Sequence, residues 1–331
     1  MKKIINDPNM VVQDMLKGMV AANTATIKQL PETTVIARCD APTINKVGLV
    51  SGGGSGHEPA HAGYVGKGML DAAVAGEVFT SPTPDQVLEA IKAVDGGAGV
   101  FLVIKNYTGD VLNFEMASEL AEAEGIRVEH VIVNDDVAVE DSSFTTGRRG
   151  IAGTIFVHKI AGAKAEQGAA LDEVKSVAER VVANVRSMGM ALTPCTVPAA
   201  GKPSFELKEN EMEIGIGIHG ESGIERKEIS TADEIASELV NKILEDGIHE
   251  NGDEVAVMIN GLGSTPEMEL YVVNSKVNET LIEKGIHVYK TFVGEYMTAL
   301  EMAGFSVTLL KLDDELKSLL DFGSEAPAFR V

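Results

Sequence analysis

Short apolar runs alternate with amphipathic helical stretches along most of this chain, and that alternation restricts the fold more than any other feature. Runs of four to six residues rich in Val, Ile, Leu and Ala stand at 33–38, 47–50, 72–75, 99–104 and 128–133. Stretches with helical spacing at 59–67, 84–94 and 111–124 separate most of them. A helix is expected over 10–30, where Val11, Met15, Met19 and Val20 share a face behind Pro8. Two more are expected at 147–167 and 171–188. Parallel neighbours need a crossover, usually helical, so this pattern predicts a largely parallel sheet covered by helices.

Near residue 190 the texture changes. Residues 193–203 (TPCTVPAAGKP) are small residues with Pro and Gly, and they read as a linker or long loop. The alternation then resumes, with strands expected at 213–218, 254–259, 285–292 and 305–311 and helices at 232–246, 266–284 and 313–320. The fold class expected is α/β: two α/β domains with mixed, largely parallel sheets covered by helices. The N-terminal domain spans 1–188 and the C-terminal domain 189–331, with the tail after 321 returning to the first domain.

Composition limits the functions open to such a fold. Of 331 residues, 44% are hydrophobic and 24% charged, as in an ordinary globular protein. The net charge of −22 repels phosphate backbones and anionic lipid, so nucleic acid and membrane surfaces are not expected partners. No apolar run is long enough for a membrane span, and the start, MKKIINDPNM, lacks the apolar core of a signal peptide. Cys39 and Cys195 are the only cysteines, which makes no disulfide framework and points to the cytoplasm.

Chemistry concentrates in three segments. The sharpest is SGGGSGHEPAH at 51–61, following the run at 47–50. Gly52, Gly53, Gly54 and Gly56, with Ser55 and His57, let the backbone come close to a small ligand at a strand end. The spacing fits neither the dinucleotide fingerprint nor a Walker A loop. It does match H-E-x-x-H, as His57 to His61, the pattern of zinc peptidases. Pro59 between the histidines argues against the continuous helix that such a site needs, and places the helix start near 57–59.

The second segment, KNYTGDVLNF at 105–114, brings Lys105 and Asp110 to the end of the run at 99–104. Asp110 serves either as a helix N-cap or as a general base. The third, IGIGIHG at 214–220, leads to His219, which is either a site residue or a lone histidine with a satisfied hydrogen bond. The polar loop Thr80, Ser81 and Thr83 is expected on the same sheet edge. NDDVAV at 134–139 reads as a solvated turn, and TTGRRG at 145–150 as an anion site or an ion-pair partner.

Together SGGGSGHEP, GEVFTSPTPDQ, IKNYTGDVLNFE, DDVAV, TTGRRG, CTVPAAGKPSF, MEIGIGIHGE and GFSVTLLKLDD resemble the dihydroxyacetone kinase family from the first residues to near the C-terminus. The ATP-dependent members are much longer because they carry a fused helical nucleotide-binding domain. At 331 residues the chain is similar to the separate substrate-binding subunit, subunit K, of the phosphotransferase-system-dependent kinases.

The resemblance implies that His219 adds to the C2 carbonyl of dihydroxyacetone as a hemiaminal. It implies that Gly54, Ser55, Gly56 and Lys105 bind the substrate and that His57 and Asp110 are the acid–base pair, in an order left open. It implies no metal and no tightly bound cofactor on this chain. ATP or ADP with Mg2+ would sit on subunit L, which subunit M of the phosphotransferase system serves. It also implies a homodimer. Paralogues that bind dihydroxyacetone as transcriptional co-activators are the alternative within the same resemblance.

Overall fold

In the computed structural model, residues 2–139 and 147–330 are described. The chain forms, in order, α1 Val11–Ala22, β1 Ile27–Gln29, β2 Val35–Arg38, β3 Gly48–Ser55, β4 Ala72–Val78, α2 Pro84–Val94, β5 Val100–Lys105, α3 Thr108–Ala123, β6 Val128–Val133, α4 Thr154–Glu166 and α5 Leu171–Asn184. Then follow β7 Val185–Ala191, β8 Glu211–Ile214, β9 Glu225–Glu228, α6 Ala232–Glu245, β10 Glu254–Gly261, α7 Glu267–Glu283, β11 His287–Gly294, β12 Gly304–Lys311, α8 Asp314–Asp321, β13 Glu325–Ala326 and β14 Phe329–Arg330. Local signals set several helix starts. Pro84 opens α2, and Thr231 and Glu234 form a reciprocal capping box at α6. Asp313 accepts a bond from the Leu316 N–H at α8.

The first sheet has the order β1-β2-β4-β3-β5-β6, with β4, β3, β5 and β6 parallel and the β1–β2 edge antiparallel. The second has the order β11-β10-β12-β7-β8-β9. Only β10 and β11 are parallel there. The mixed α/β class with helix-covered sheets therefore stands, but the expected parallel majority is confined to the first sheet. β7, β8 and β9 are joined by loops without crossover helices, so they pair antiparallel.

Alternate residues on each strand serve different cores. Val50, Val74, Val100 and Leu102 face α2 and α3. Leu49, Ala73, Phe101 and Val103 face α4 and α5. That same core continues into Ala256, Met258 and Leu310 of the second sheet. The outer face of the second sheet packs Val257, Ile259, Val307 and Leu309 on α6 and α7. The layers thus run helix, sheet, helix, sheet, helix, and the middle helical layer is common to both sheets. Lys159 of α4 is wholly buried and donates to the Leu319 carbonyl near the end of α8.

Three expectations change. The opening helix stops at Ala22, and 27–29 form an edge strand. The helix expected to 188 ends at Asn184, and the boundary expected at 188/189 falls inside β7, which pairs with β12 from Val185 onward. The segment 193–203 therefore connects β7 to β8 within the second sheet instead of joining two sheets. The tail after 321 packs on the 63–68 segment, with the Ala328 N–H donating to the Gly63 carbonyl and the Glu325 N–H to the Lys67 carbonyl. Among the described residues, no helix is long and apolar enough to cross a membrane.

Candidate active site

The site lies at the carboxyl ends of the parallel strands, where open α/β sheets hold ligands. A cavity of about 500 Å³ is lined by Gly54, Phe79, Thr80, Ser81, Tyr107, Gly109, Asp110, Asn113 and His219. β3 runs straight through the glycines to Ser55, so Gly52, Gly53 and Gly54 belong to a central strand and not to a loop. Their smallness is still required. At Gly53, with φ +155°, a Cβ would sit 2.3 Å from the Lys105 ammonium, and at Gly54 it would sit 2.6 Å from the Thr80 nitrogen. Ser55 is buried and donates to the Gly76 carbonyl.

The helix expected at 59–67 reduces to a single 3-10 turn at Ala62–Tyr64. His57 and His61 therefore share no helix face. The Nε2 atoms of the two rings point to different partners, His219 and Lys105. This arrangement overturns the zinc-peptidase reading of H-E-x-x-H, which needs both rings on one ion.

His219 stands on the 215–224 loop after β8, between Gly215 and Gly220 at φ +78° and +81°. The strand expected to 218 ends at Ile214. Three rings box the imidazole edge-on: Tyr107 at 4.6 Å, His57 at 4.7 Å and Phe79 at 5.1 Å between centroids. His57 in turn stacks on Phe79 at 5.0 Å. Glu221 grips His219 twice, accepting from its backbone N–H at 2.9 Å and from Nδ1 at 3.0 Å. Burial pushes the Glu221 carboxyl up, but the charge and hydrogen bond of His219, with Arg149 behind, outweigh it and hold Glu221 down to about 2.

Proton counting then fixes the histidine pair. His57 Nδ1 lies 2.8 Å from the Thr298 carbonyl, which only accepts, so Nδ1 carries hydrogen. His219 Nδ1 faces an ionised carboxylate, so it also carries hydrogen. The two Nε2 atoms meet at 3.0 Å, and that contact requires one shared proton. Burial, then the charges of His219 and Lys105, hold the His57 imidazole well below the ordinary histidine range. A full positive charge is therefore disfavoured on the His57 ring.

On the facing wall, Lys105 ends β5 and is fully buried. Its ammonium donates to Asp110 Oδ2 at 3.2 Å, the Gly52 carbonyl at 3.2 Å and His61 Nε2 at 3.1 Å. Ser81 donates to Asp110 Oδ1 at 2.5 Å. α3 begins at Thr108 after Tyr107, so Asp110 lies inside its first turn and is not the N-cap. Its carboxylate there benefits from the positive helix end.

Asp110 and His219 line the cavity with Gly54 and Ser81, and the buried Lys105 and His57 stand behind them, bonded to Asp110 and His219 respectively. NDDVAV is not solvated: Asp135 and Asp136 are fully buried. Asp135 accepts from the Ile151 and Gly153 N–H groups, and Asp136 pairs with Arg149 at 2.7 Å. Arg148 pairs with Asp246, so both arginines of TTGRRG are ion-pair partners. Thr145 and Thr146 lie outside the described residues. Sequence reasoning missed Glu221, Phe79, Tyr107 and Thr298. An acid two residues after His219 was the one local signal available for Glu221.

Comparison with known proteins gives a consistent picture. The Dak1 domain family matches residues 17–328. The chain is 58% identical over 315 residues, 95% of each chain, to the PTS-dependent dihydroxyacetone kinase 1, dihydroxyacetone-binding subunit DhaK, of Listeria innocua. Among solved structures, the dihydroxyacetone kinase of C. freundii is 37% identical with a TM-score of 0.92, covering 99% of this chain and 60% of the longer kinase. The dihydroxyacetone kinase operon co-activator Dha-DhaQ is 39% identical with a TM-score of 0.89, covering 95% of this chain and 97% of that one.

Proposed function

The chain belongs to the dihydroxyacetone kinase family, and on that premise we propose that it is the dihydroxyacetone-binding subunit of a phosphotransferase-system-dependent kinase. The observation that carries this reading is one cavity lined by His219 and Asp110, each backed by a buried partner, His57 and Lys105. The reading includes capture of the C2 carbonyl by His219 and phosphorylation of a terminal hydroxyl, giving dihydroxyacetone phosphate. It includes a cytoplasmic homodimer working with a nucleotide-carrying subunit L, which a subunit M of the phosphotransferase system recharges. The co-activator kinship is the second reading, because Dha-DhaQ shares the fold at 39% identity.

The capture proposed here runs through the proton shared by the two Nε2 atoms. His219 passes its Nε2 proton to His57, and the freed lone pair attacks C2. The carbonyl π pair moves onto oxygen, and His57 delivers the proton there. His219 is left substituted at Nε2 and still protonated at Nδ1, against the Glu221 carboxylate, so charge and protons balance. Glycerol offers no carbonyl and cannot follow this path.

Asp110 lies on the opposite wall from that exchange, held by Ser81 and Lys105. It is the base for the terminal hydroxyl. Lys105, through its bond to Asp110, and the backbone around Gly54, Ser55 and Gly56 position the triose. The donor supplies a γ-phosphoryl group with its magnesium. The cavity lining contributes one carboxylate, Asp110, and both its oxygens are engaged, which supports a donor held by the partner.

Two experiments test this. The purified chain is mixed with dihydroxyacetone and Mg-ATP, first alone and then with an ATP-loaded subunit L. Product only in the second mixture is expected. No product in either, with the His219 adduct still visible, supports the co-activator. Separately, Glu221→Gln is expected to lower kcat/KM for dihydroxyacetone by about 10–100-fold, the cost of losing a hydrogen bond to a charged group. Steady-state kinetics with the subunit L mixture measure it. An unchanged value removes Glu221 from the capture step.

A further inference from the structure

Behind Lys105 stands a second pair of histidines that the capture chemistry leaves unused. His61 is 6% exposed, and His158, on α4, is fully buried. The Lys105 ammonium has three hydrogens and three acceptors within reach: the Gly52 carbonyl, Asp110 Oδ2 and His61 Nε2. An ammonium cannot accept, so His61 Nε2 must be bare, and the ring's hydrogen must sit on Nδ1. His61 Nδ1 lies 2.9 Å from His158 Nε2, which therefore accepts and is bare as well. The last hydrogen falls on His158 Nδ1, which has no partner among the described residues. One assignment satisfies the chain, with both rings neutral. Burial, followed by the charge of Lys105, agrees with it by lowering both imidazoles, His158 to about 3.

An unpartnered N–H in a helix core is unfavourable, and an apolar side chain at position 158 would avoid it. Such local departures concentrate at functional positions. A neutral acceptor also adds no charge to the Lys105–Asp110 pair. A carboxylate in place of His61 would draw the ammonium away from Asp110.

We propose that His61 and His158 are positioning residues: His158 locks His61 in its Nδ1–H tautomer, and the bare Nε2 of His61 holds the Lys105 ammonium in register with Asp110 and the substrate hydroxyl. The functional half of this inference rests on the kinase-subunit reading above, while the tautomer half does not.

Nitrogen-15 NMR of the full chain reads the tautomer directly. Wild-type His61 is expected to show a protonated Nδ1 and a bare Nε2. In His158→Leu the proton is expected to move to Nε2, where it opposes Lys105. The KM for dihydroxyacetone with ATP-loaded subunit L is then expected to rise about tenfold or more, with His158→Gln recovering most of the loss because its amide oxygen can accept from His61. Should His158→Leu fail to fold, the pair His61→Gln and His61→Leu asks the same question. Gln keeps an oxygen near the Nε2 position for Lys105, and Leu does not. A wild-type His61 protonated at Nε2, or folded Leu variants with unchanged KM, would overturn the proposal. A wild type that makes no product with subunit L overturns the kinase reading instead, and leaves the NMR result standing.

Discussion

His219→Ala is expected to abolish the dihydroxyacetone adduct and to lower kcat/KM with ATP-loaded subunit L by on the order of 10²-fold or more. In the proposed reaction, capture would fix the triose so that its terminal hydroxyl stays beside Asp110. Without the covalent bond, only the β3 backbone and Asp110, held by Lys105, would orient it. The same change is expected to erode discrimination against glycerol, because rejection then depends on one carbonyl contact. The 215–224 loop belongs to no helix, and the nearest core residue, Ile218, keeps its place. The fold is therefore expected to survive, which circular dichroism checks. Intact mass spectrometry or crystallography follows the adduct. If glycerol remains excluded as strongly in the variant, capture is not the source of selectivity.

Asp110→Asn is expected to separate binding from turnover. Asn keeps its oxygen for Lys105 and turns its NH2 to the Ser81 hydroxyl, which can accept, so the adduct should still form. The amide cannot take a proton from the terminal hydroxyl, so kcat should fall by about 10²–10⁴-fold, the usual contribution of a placed base. Removing one partner of a buried pair also destabilises, so the melting temperature is measured beside kcat, and rates are compared below it. An unchanged kcat would leave Asp110 as a structural partner of Lys105 alone.

The parts of this molecule visible in its sequence are those set by neighbours along the chain. β4, β5 and β6 alternate with local helices, and their apolar runs betray them. Lys105 and Asp110 lie five residues apart at a strand end, and a strand-to-helix step suffices to place both. Pairing at a distance was hidden. Nothing near 193–203 tells that β7 and β8 are neighbours, or that β12 pairs with β7. The glycines of β3 read as a loop, because the close approach they permit is to Lys105 and to the segment after β4. His219 and His57 are 162 positions apart, and only the fold brings their Nε2 atoms together. Asp136 looked solvated because its partner, Arg149, is defined by burial rather than by spacing.

The helical layer common to both sheets bears on how the reaction is timed. The wall bearing Asp110 and Lys105 belongs to one sheet, and the loop bearing His219 to the other. The core through α4 and α5 joins the two, and the Leu300 N–H donates to the Gly56 carbonyl across the site itself. The two halves are thus tied together both through the core and across the site. On the proposed reading, a triose would enter and leave by the cavity that Phe79, Thr80 and Asn113 help to line. Under the proposed function, the dwell of the donor subunit on that cavity, rather than a bending of this chain, would set the rhythm of each cycle.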